Sequence, residues 1–386
     1  IAPEHVMIAS THTHSAPASN AKEGDPASVA YRDVIIEGMA ESIVKAQAAL
    51  RPASIGAASH SLPDEVRNRR WFLKPGRMTP NPWGLMDKVK MNPGQSEEVL
   101  DRPAGPIDPD VMILAVRDAG TRKPLALFAN YALHYVGGLP EGRVSSDYFG
   151  QFARLMPSRL RGEKDFVAML SNGASGDINN LPFLIARPAR EPGDQIRIVA
   201  RKTADAAWFA WKKIDDYQSS VRIGMIERRI TLALRRPTEA QIDCANAILA
   251  ITDKSELARF HKKAESYARR TLSMIDGGRI TVPLQAIRLG DTALCALPFE
   301  TLVEIGLELK QRSPFANTIV VGIANGYNGY LPPPNQHELG GYETWLGTSR
   351  AQKDASVLII DQLLGMLVEL KEVEAFRRGR SIGDSS

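Results

Sequence analysis

The sequence has little cysteine and no long apolar run. Cys244 and Cys295 are the only cysteines among its 386 residues, which excludes a disulfide framework and a cysteine-based zinc or iron–sulfur site. No apolar stretch reaches the roughly 18 residues that a membrane-spanning helix requires; the stretch 357–370 is interrupted by Asp361. The N-terminus lacks a basic region followed by an apolar one, so no signal peptide is visible in this chain.

A strong excess of one charge sign is also lacking. The chain has 48 Lys and Arg against 44 Asp and Glu, a net charge of +4. Its basic residues are not interleaved with aromatic residues as on surfaces that bind single-stranded nucleic acid, so we expect no nucleic-acid partner. Hydrophobic residues make up 44% of the chain and charged residues 24%, a balance that supports a sizeable core and excludes general disorder.

Apolar runs that alternate with helical patterns predict an α/β fold, a layered mixed β-sheet core flanked by helices, with a helical insertion. The predicted strands are 5–10, 111–116, 125–130, 166–170, 221–234, 280–289, 292–297 and 318–323, and the predicted helices are 30–50, 149–161, 195–214, 301–312 and 352–372. Residues 61–109 are predicted to be loops, and about 237–274 an inserted helical hairpin. We expect one domain over 1–372 and a polar tail over 373–386, with no internal repeat.

The first candidate site is Thr11-His12-Thr13-His14, at the end of the first predicted strand. Side chains two residues apart share a face of an extended backbone, so His12 and His14 are expected to project together. Paired imidazoles bind a metal, or divide into one ligand and one proton donor. The alternative interpretation is two polar residues at a strand end.

Three further candidates each follow a predicted strand: His134, Glu300 and the segment 325–330. Taken singly, each has an ordinary structural interpretation, as a hydrogen-bonded histidine, a carboxylate at a helix N-terminus and a turn. Because sites assemble at the carboxyl ends of strands in α/β folds, we expect the segments to converge. Two histidines, a carboxylate and a further oxygen ligand form the donor set of a catalytic zinc site.

Other catalytic motifs are incomplete. Gly173-Ala174-Ser175-Gly176 lacks the second glycine of a nucleophile elbow, because Asp177 occupies that position. His337-Glu338 begins like the helix of a zinc protease, but position 341 is glycine. Neither a phosphate-binding loop nor a dinucleotide-binding motif is present.

Taken together and in order, these segments resemble the neutral (non-lysosomal) ceramidase family, which are zinc-dependent amide hydrolases. The resemblance extends from Thr11 to Trp345. The motifs that carry it are Thr11 through Pro17, Asn68-Arg69, Asn130 through His134, Ser145-Ser146-Asp147, Gly176-Asp177, Pro298 through Thr301, Asn325 through Tyr330 and Gly341-Tyr342-Glu343. The resemblance implies that His12, His134, Glu300 and Tyr330 bind zinc, and that His14, Arg69 and Tyr342 contact the scissile amide.

The sequence departs from the family pattern in three places. Where the family has Gly-Asp-Val-Ser, this chain has Gly176-Asp177-Ile178-Asn179, and an asparagine cannot replace the serine as a nucleophile. The family's immunoglobulin-like C-terminal domain has no counterpart. The initial strand and helix of the family are also missing, so we expect an N-terminally incomplete chain.

The leading hypothesis is hydrolysis of the amide bond of an N-acyl substrate, such as a ceramide-like lipid, by water that zinc activates. Arg69 and Tyr342 are expected to stabilise the oxyanion, His14 to protonate the leaving amine and Asn179 to orient a polar group of the substrate. Asp147 is expected to hold the tautomer of a ligating imidazole.

Two alternatives stay open: a zinc-dependent esterase or lactonase on the same site, and a non-catalytic lipid-binding homologue. The resemblance also implies a secreted or periplasmic location and peripheral contact with membranes. The exact substrate and the oligomeric state are not readable from these residues.

Overall fold

The computed structural model describes residues 1–20 and 24–381, with side chains up to residue 372. The strands are β1 (Ala53–Ser61), β2 (Arg67–Asn68), β3 (Arg70–Leu73), β4 (Val89–Met91), β5 (Leu100–Pro103), β6 (Asp110–Asp118), β7 (Pro124–Tyr131), β8 (Val167–Asn172), β9 (Ile178–Asn179), β10 (Ile223–Ala233), β11 (Arg279–Leu289), β12 (Thr292–Leu297), β13 (Glu300–Thr301), β14 (Asn317–Gly322) and β15 (Tyr330–Leu331). The α-helices are α1 (Pro26–Ala48), α2 (Asp147–Leu160), α3 (Asp194–Lys212), α4 (Glu239–Ala250), α5 (Lys254–Leu257), α6 (Ala264–Leu272), α7 (Val303–Arg312), α8 (Pro334–Leu339) and α9 (Ala355–Ser381).

Two four-stranded sheets form the centre of the molecule. The first has the order β1-β6-β7-β8 and the second the order β10-β11-β12-β14. In each sheet the first three strands are antiparallel, and the fourth lies parallel to the third. A helix connects the parallel pair in both cases, α2 in the first sheet and α7 in the second.

The two sheets pack face to face, and helices cover their outer faces. Alternation along β6 shows this: Val111 and Ile113 join the core beneath α2 and α3, whereas Met112 points into the layer between the sheets. Strand β12 alternates likewise, with Cys295 beneath α7 and α9 and Leu294 between the sheets. Successive strand residues face opposite ways, so burial on both faces produces the continuous apolar runs that predict these strands. The predicted layered α/β class is confirmed.

The sequence prediction fails for short or polar strands. The small sheets β4-β3-β5 and β2-β9 lie partly in the segment 61–109 that was expected to be loops; their strands of two to four residues carry no periodic signal. The expected strand 5–10 is wrong. The segment has a 3-10 turn at Pro3–His5 and one isolated bridge between Ala9 and Ala324.

The expected inserted segment contains α4, α5 and α6 between β10 and β11. Thr238 and Gln241 form a reciprocal capping box at the start of α4. Helix α9 continues past the expected end at residue 372, and residues 382–386 of the expected tail lie outside the described residues. No helix in the described part of the chain combines the length and apolar character needed to span a membrane.

Candidate metal centre

His134 lies just after β7 and is buried. Asn130, near the end of that strand, donates from Nδ2 to Ser171 Oγ at 2.9 Å on β8 and to the Val320 carbonyl at 3.0 Å on β14. One buried amide therefore joins the first sheet to the second beneath the histidine. His134 Nδ1 lies 2.7 Å from the Ser175 carbonyl oxygen. Because a carbonyl oxygen only accepts, Nδ1 carries the hydrogen and Nε2 of the neutral ring has a free lone pair.

Glu300 opens β13, which pairs in parallel with β15 so that Glu300 is in register with Tyr330. The Gly176 amide donates to the Thr301 carbonyl at 2.8 Å. A side-chain carbon at Gly176 would lie 2.7 Å from the Glu300 carbonyl oxygen, so glycine is required for this approach. The loop that orients His134 thus lies directly against the backbone of Glu300.

The N-terminal segment brings His12 and His14 to the same place. It is held by Ser10, whose amide donates to the Ile323 carbonyl, and by Thr13, whose hydroxyl donates to the Ser145 carbonyl. His12 has φ +57°, a left-handed conformation that costs energy for a histidine and is concentrated at functional sites. The backbone is not extended, yet the rings of His12 and His14 are 4.8 Å apart.

The ligand atoms of His12, His134 and Glu300 form a compact group, all within 4.8 Å of one another. Each histidine Nε2 lies 3.3 Å from Glu300 Oε2. Ligands bonded to one tetrahedral zinc at about 2.0–2.2 Å are separated by about 3.3 Å. The spacing therefore fits a shared zinc ion.

The electrostatics of this group also favour a cation. Glu300 Oε2 is buried and has no hydrogen-bond partner among the described residues. It faces the lone pair of His134 Nε2, so two electron-rich atoms point at each other. Such an arrangement is unfavourable by itself and becomes favourable with a positive charge between the atoms. The residues therefore fit the expected metal.

The protonation states are consistent with metal ligands. Burial raises the pKa of Glu300, but the neighbouring His12 and His134 outweigh it and hold the pKa well below its usual range. Burial lowers the pKa of His134, although Glu300 opposes the shift. Burial, together with His12 and His134, lowers the pKa of His14 to about 4. At neutral pH the group consists of a carboxylate with neutral imidazoles at His134 and His14.

Arg69 connects the centre to a buried ion-pair network. Its Nη2 donates to Tyr330 Oη at 3.0 Å and its Nε to Glu343 Oε1 at 2.9 Å. The other oxygen of Glu343 accepts from Arg70 at 2.7 Å. Burial lowers the pKa of Arg69, but Tyr330 and Glu343 outweigh this and raise it. Of the adjacent arginines, Arg69 contacts Tyr330, whereas Arg67 donates to the Pro63 and Val66 carbonyls.

Four aromatic or acidic residues complete the surroundings. The Tyr342 ring packs against Tyr330 with centroids 5.7 Å apart. Tyr327 Oη donates to Glu300 Oε1 at 2.8 Å, and Tyr135 stacks on His14 at 3.8 Å. The sequence reasoning assigned no role to Tyr327, Tyr135 or Glu343. Their position beside predicted site residues was the only signal, and it does not reveal contacts.

Of two further expected roles, that of Asp147 differs from the structure, whereas that of Asn179 stays a prediction. The side-chain amide of Asn179 donates to Asn92 Oδ1 at 2.5 Å and accepts from the backbone amide of Leu181 at 3.0 Å. Among the described residues, it has no hydrogen bond to His12, His134 or Glu300. Asp147 does not hold an imidazole. Its carboxylate accepts from the backbone amides of Val136 and Gly137 and so shapes the turn after His134. The Ser175 carbonyl orients the His134 ring instead.

The fold is neutral ceramidase-like, which confirms the expected resemblance at the level of fold. The neutral ceramidase from Pseudomonas aeruginosa superposes with a TM-score of 0.65 and 17% sequence identity, over 95% of this chain and 61% of that chain. A ceramidase complexed with C2 superposes with a TM-score of 0.66 and 16% identity, over 95% of this chain and 62% of that chain.

The likeness lies in the three-dimensional structure. At the level of sequence, no protein-family model and no curated protein matches the chain. The chain spans about three fifths of the length of the ceramidase chains it superposes on. Identity this low shows a shared fold, whereas activity has to be argued from the site.

Proposed function

We propose that the chain is a zinc-dependent hydrolase that cleaves the amide bond of an N-acyl substrate, with residues 1–372 acting as one catalytic domain. The observation that carries the proposal is the buried Glu300 Oε2, which lies 3.3 Å from Nε2 of both His12 and His134 and has no hydrogen-bond partner within the described part of the chain. These three residues would bind the zinc, with Tyr330 as the fourth ligand. Two histidines, a carboxylate and an oxygen ligand suit zinc better than magnesium or calcium, which prefer all-oxygen sites.

A bound zinc ion supplies Lewis acidity, which lowers the pKa of water and polarises a carbonyl group. The residues of the chain supply the remaining functions. Arg69, kept cationic by Glu343, and the phenol of Tyr342 would donate hydrogen bonds to the oxygen on which charge develops. His14, neutral and stacked on Tyr135, would accept a proton from the attacking water and pass it to the leaving nitrogen.

Asn179 would orient a polar group of the substrate. Its amide fixes Asn92, which lines the cavity beside Tyr342. An asparagine cannot attack a carbonyl, so in this proposal the attacking group is water. The ceramidase-like fold makes N-acyl lipid amides the first substrates to test.

Metal content and turnover test the proposal together. Purified chain is expected to hold about one zinc ion, measured by plasma mass spectrometry, and to release fatty acid from N-acyl amides. Glu300→Gln should lose both the metal and at least about a thousandfold in kcat/KM, the scale of a lost catalytic metal site. Glu308→Gln, at a partly exposed carboxylate on α7 that pairs with Arg312, is the control and should match the wild type. Full activity in metal-free protein would contradict the proposal.

The position of His14 favours amides over esters. An amine leaves only after protonation, whereas an alkoxide leaves more readily. His14→Ala should therefore slow amide cleavage about a hundredfold or more and ester cleavage much less. Equal losses on a matched amide and ester would favour the esterase alternative, and ligand binding without turnover of either would favour the non-catalytic one.

A further inference from the structure

A cavity of about 680 Å³ opens beside the metal centre. It lies between the segment 78–94 and the start of α6, and Tyr342 forms part of its wall. Since Tyr342 also packs against Tyr330, the cavity and the centre share a side chain. A groove of about 630 Å³ near Trp71 and Phe183 is lined by none of the proposed zinc ligands, nor by Arg69 or Tyr342. The cavity at Tyr342 is therefore the better candidate for the substrate.

The cavity combines apolar walls with positive charge. Its apolar lining residues are Met78, Pro80, Val89, Met91, Pro93 and Trp345, and its basic lining residues are Lys90, His261, Lys262 and Lys263. Asp87 is its single acidic lining residue, and that carboxylate accepts hydrogen bonds from Asn81 and from Trp345 Nε1. Across the described residues, none of the three lysines forms an ion pair.

Lys263 contacts Tyr342, the side chain that the cavity shares with the centre. Its ammonium lies 4.5 Å from the centroid of the Tyr342 ring, a cation–π contact. Lys90 instead donates to Thr79 Oγ1 at 3.0 Å. Lys263 therefore presents its charge at the shared wall, with no carboxylate to neutralise it.

The pKa shifts of His261 and Lys263 indicate a positive electrostatic potential in the cavity. Burial and the charges of Lys263, Lys262 and Lys90 lower the pKa of His261. Burial and the charges of Arg270 and Lys262 lower the pKa of Lys263 itself. An anion in the cavity would offset this mutual repulsion, and charge-assisted hydrogen bonds to it would be strong.

We propose that this cavity binds an anionic group of the substrate, a carboxylate or a phosphate, and that Lys263 determines the specificity. The proposal rests on the proposed amide hydrolase function in taking the ligand to be the substrate. The apolar walls would hold the hydrocarbon part next to the anion. The preferred substrate is then an acidic N-acyl amphiphile rather than a neutral one.

Binding of three probes of equal chain length tests the proposal. They are N-dodecanoylglycine, with a carboxylate, N-dodecanoylethanolamine phosphate, and the neutral N-dodecanoylethanolamine. Dissociation constants are measured by calorimetry in EDTA, below the concentration at which the probes form micelles. At least one anionic probe should bind about tenfold more tightly than the neutral one. The two anionic probes tell a carboxylate site from a phosphate site.

The variant Lys263→Gln keeps a polar, hydrogen-bonding side chain and removes the charge. It should abolish most of the preference, bringing the ratio of the anionic and neutral dissociation constants near one. Lys254→Gln, an exposed lysine on α5 that does not line the cavity, is the matched control and should keep the wild-type ratio. Equal binding of all probes by the wild type, or an unchanged ratio in Lys263→Gln, would overturn the proposal.

Turnover with zinc separates this proposal from the function on which it rests. Preference for an anion without hydrolysis of any probe would contradict the hydrolase while supporting the anion site. Hydrolysis of all three amides at equal efficiency, together with equal binding, would support the hydrolase and refute the anion site.

Discussion

The two sheets are built on the same plan, although no repeat is visible in the sequence. In each, three antiparallel strands lead through a helix to a fourth strand parallel to the third. Asn130 pairs with Ser171 in the first sheet, and Ala296 with Val321 in the second. Four residues beyond Asn130 is His134, and four beyond Ala296 is Glu300.

The loops after the fourth strands differ in chemistry. The loop after β8 contributes none of the proposed metal ligands. Its Ser175 carbonyl orients His134, and its Asp177 accepts from the side-chain amide of Asn68 and the backbone amide of Val303. The loop after β14 and the start of β15 contribute phenols, with Tyr327 bonded to Glu300 and Tyr330 to Arg69. The half of the molecule built on the first sheet supplies the neutral imidazole of His134 and the Ser175 carbonyl that orients it. The half built on the second sheet supplies the negative charge of Glu300.

Neither half by itself therefore contains all the residues of the candidate metal centre. His134 comes from the first half and Glu300 from the second, while His12 arrives on a segment bonded to Ile323 and Ala324 of the second half. The geometry of the centre therefore depends on how closely the halves approach each other.

The largest expected effect comes from forcing the halves apart. Gly176→Ala places a methyl group against the Glu300 carbonyl, at a starting distance of 2.7 Å. We expect stability to fall by about 1–3 kcal/mol, as for an overpacked core, and zinc affinity to fall about a hundredfold. Chemical denaturation and zinc titration measure the two effects.

The control is Gly365→Ala on α9, where an added methyl group meets no atom within 4 Å. A helical alanine should be neutral or stabilising by up to about 1 kcal/mol. Wild-type zinc affinity in Gly176→Ala would show that the approach of the halves does not position the ligands.

The phenols of the second half test its separate contribution. Tyr330→Phe should lower zinc affinity by about 10- to 100-fold, because the proposed ligand and the partner of Arg69 are both lost. Tyr327→Phe loses one hydrogen bond to Glu300 and should cost about tenfold or less. Tyr217→Phe, which lies away from the centre against Arg117, serves as the control. A larger effect for Tyr327 than for Tyr330 would reverse the assignment of the fourth ligand.

The smallest expected effect concerns the first half. Burial raises the pKa of Asp177 from 3.8 to about 6. Since the folded-state pKa exceeds the unfolded one, protonation favours the folded protein, so this stabilisation is present below about pH 4 and is lost as the pH rises through about 6. Between pH 5 and 7 the wild type should lose about 1 kcal/mol from this source, and Asp177→Asn should not.

Urea denaturation in EDTA at both pH values isolates this contribution, because metal binding then plays no part. Asp361→Asn, at an exposed carboxylate on α9, is the control and should follow the wild type. Identical pH dependence in Asp177→Asn and the wild type would show that Asp177 is ionised equally in the folded and unfolded chain.

Much of the fold was predictable because it rests on local patterns. Residues 111–116, 125–130 and 292–297 are apolar on both faces, and they form β6, β7 and β12. Of the polar residues that follow such runs, His134 and Glu300 lie close together in the structure, with His12 beside them. Strand β1 was missed because alanine, serine and glycine make up most of it, and such residues carry little periodic signal.

The proximity of His12 and His14 was predicted for the wrong reason. An extended backbone was expected, but His12 has φ +57° and its neighbours are held by hydrogen bonds to distant residues. Likewise, nothing local distinguishes Arg69 from Arg67 or Arg70. Only the position of Tyr330, which is remote in sequence, selects it.

The sequence by itself determined the α/β class, the buried strands and the identity of the candidate ligand residues, because hydrophobic periodicity and side-chain chemistry are local properties. The tertiary structure alone decided the separation of those ligands, the unpartnered carboxylate oxygen of Glu300 and the basic cavity behind Tyr342. These features arise from contacts between residues that are far apart in the sequence. Such contacts depend on how the two sheets pack, which no short stretch of sequence encodes.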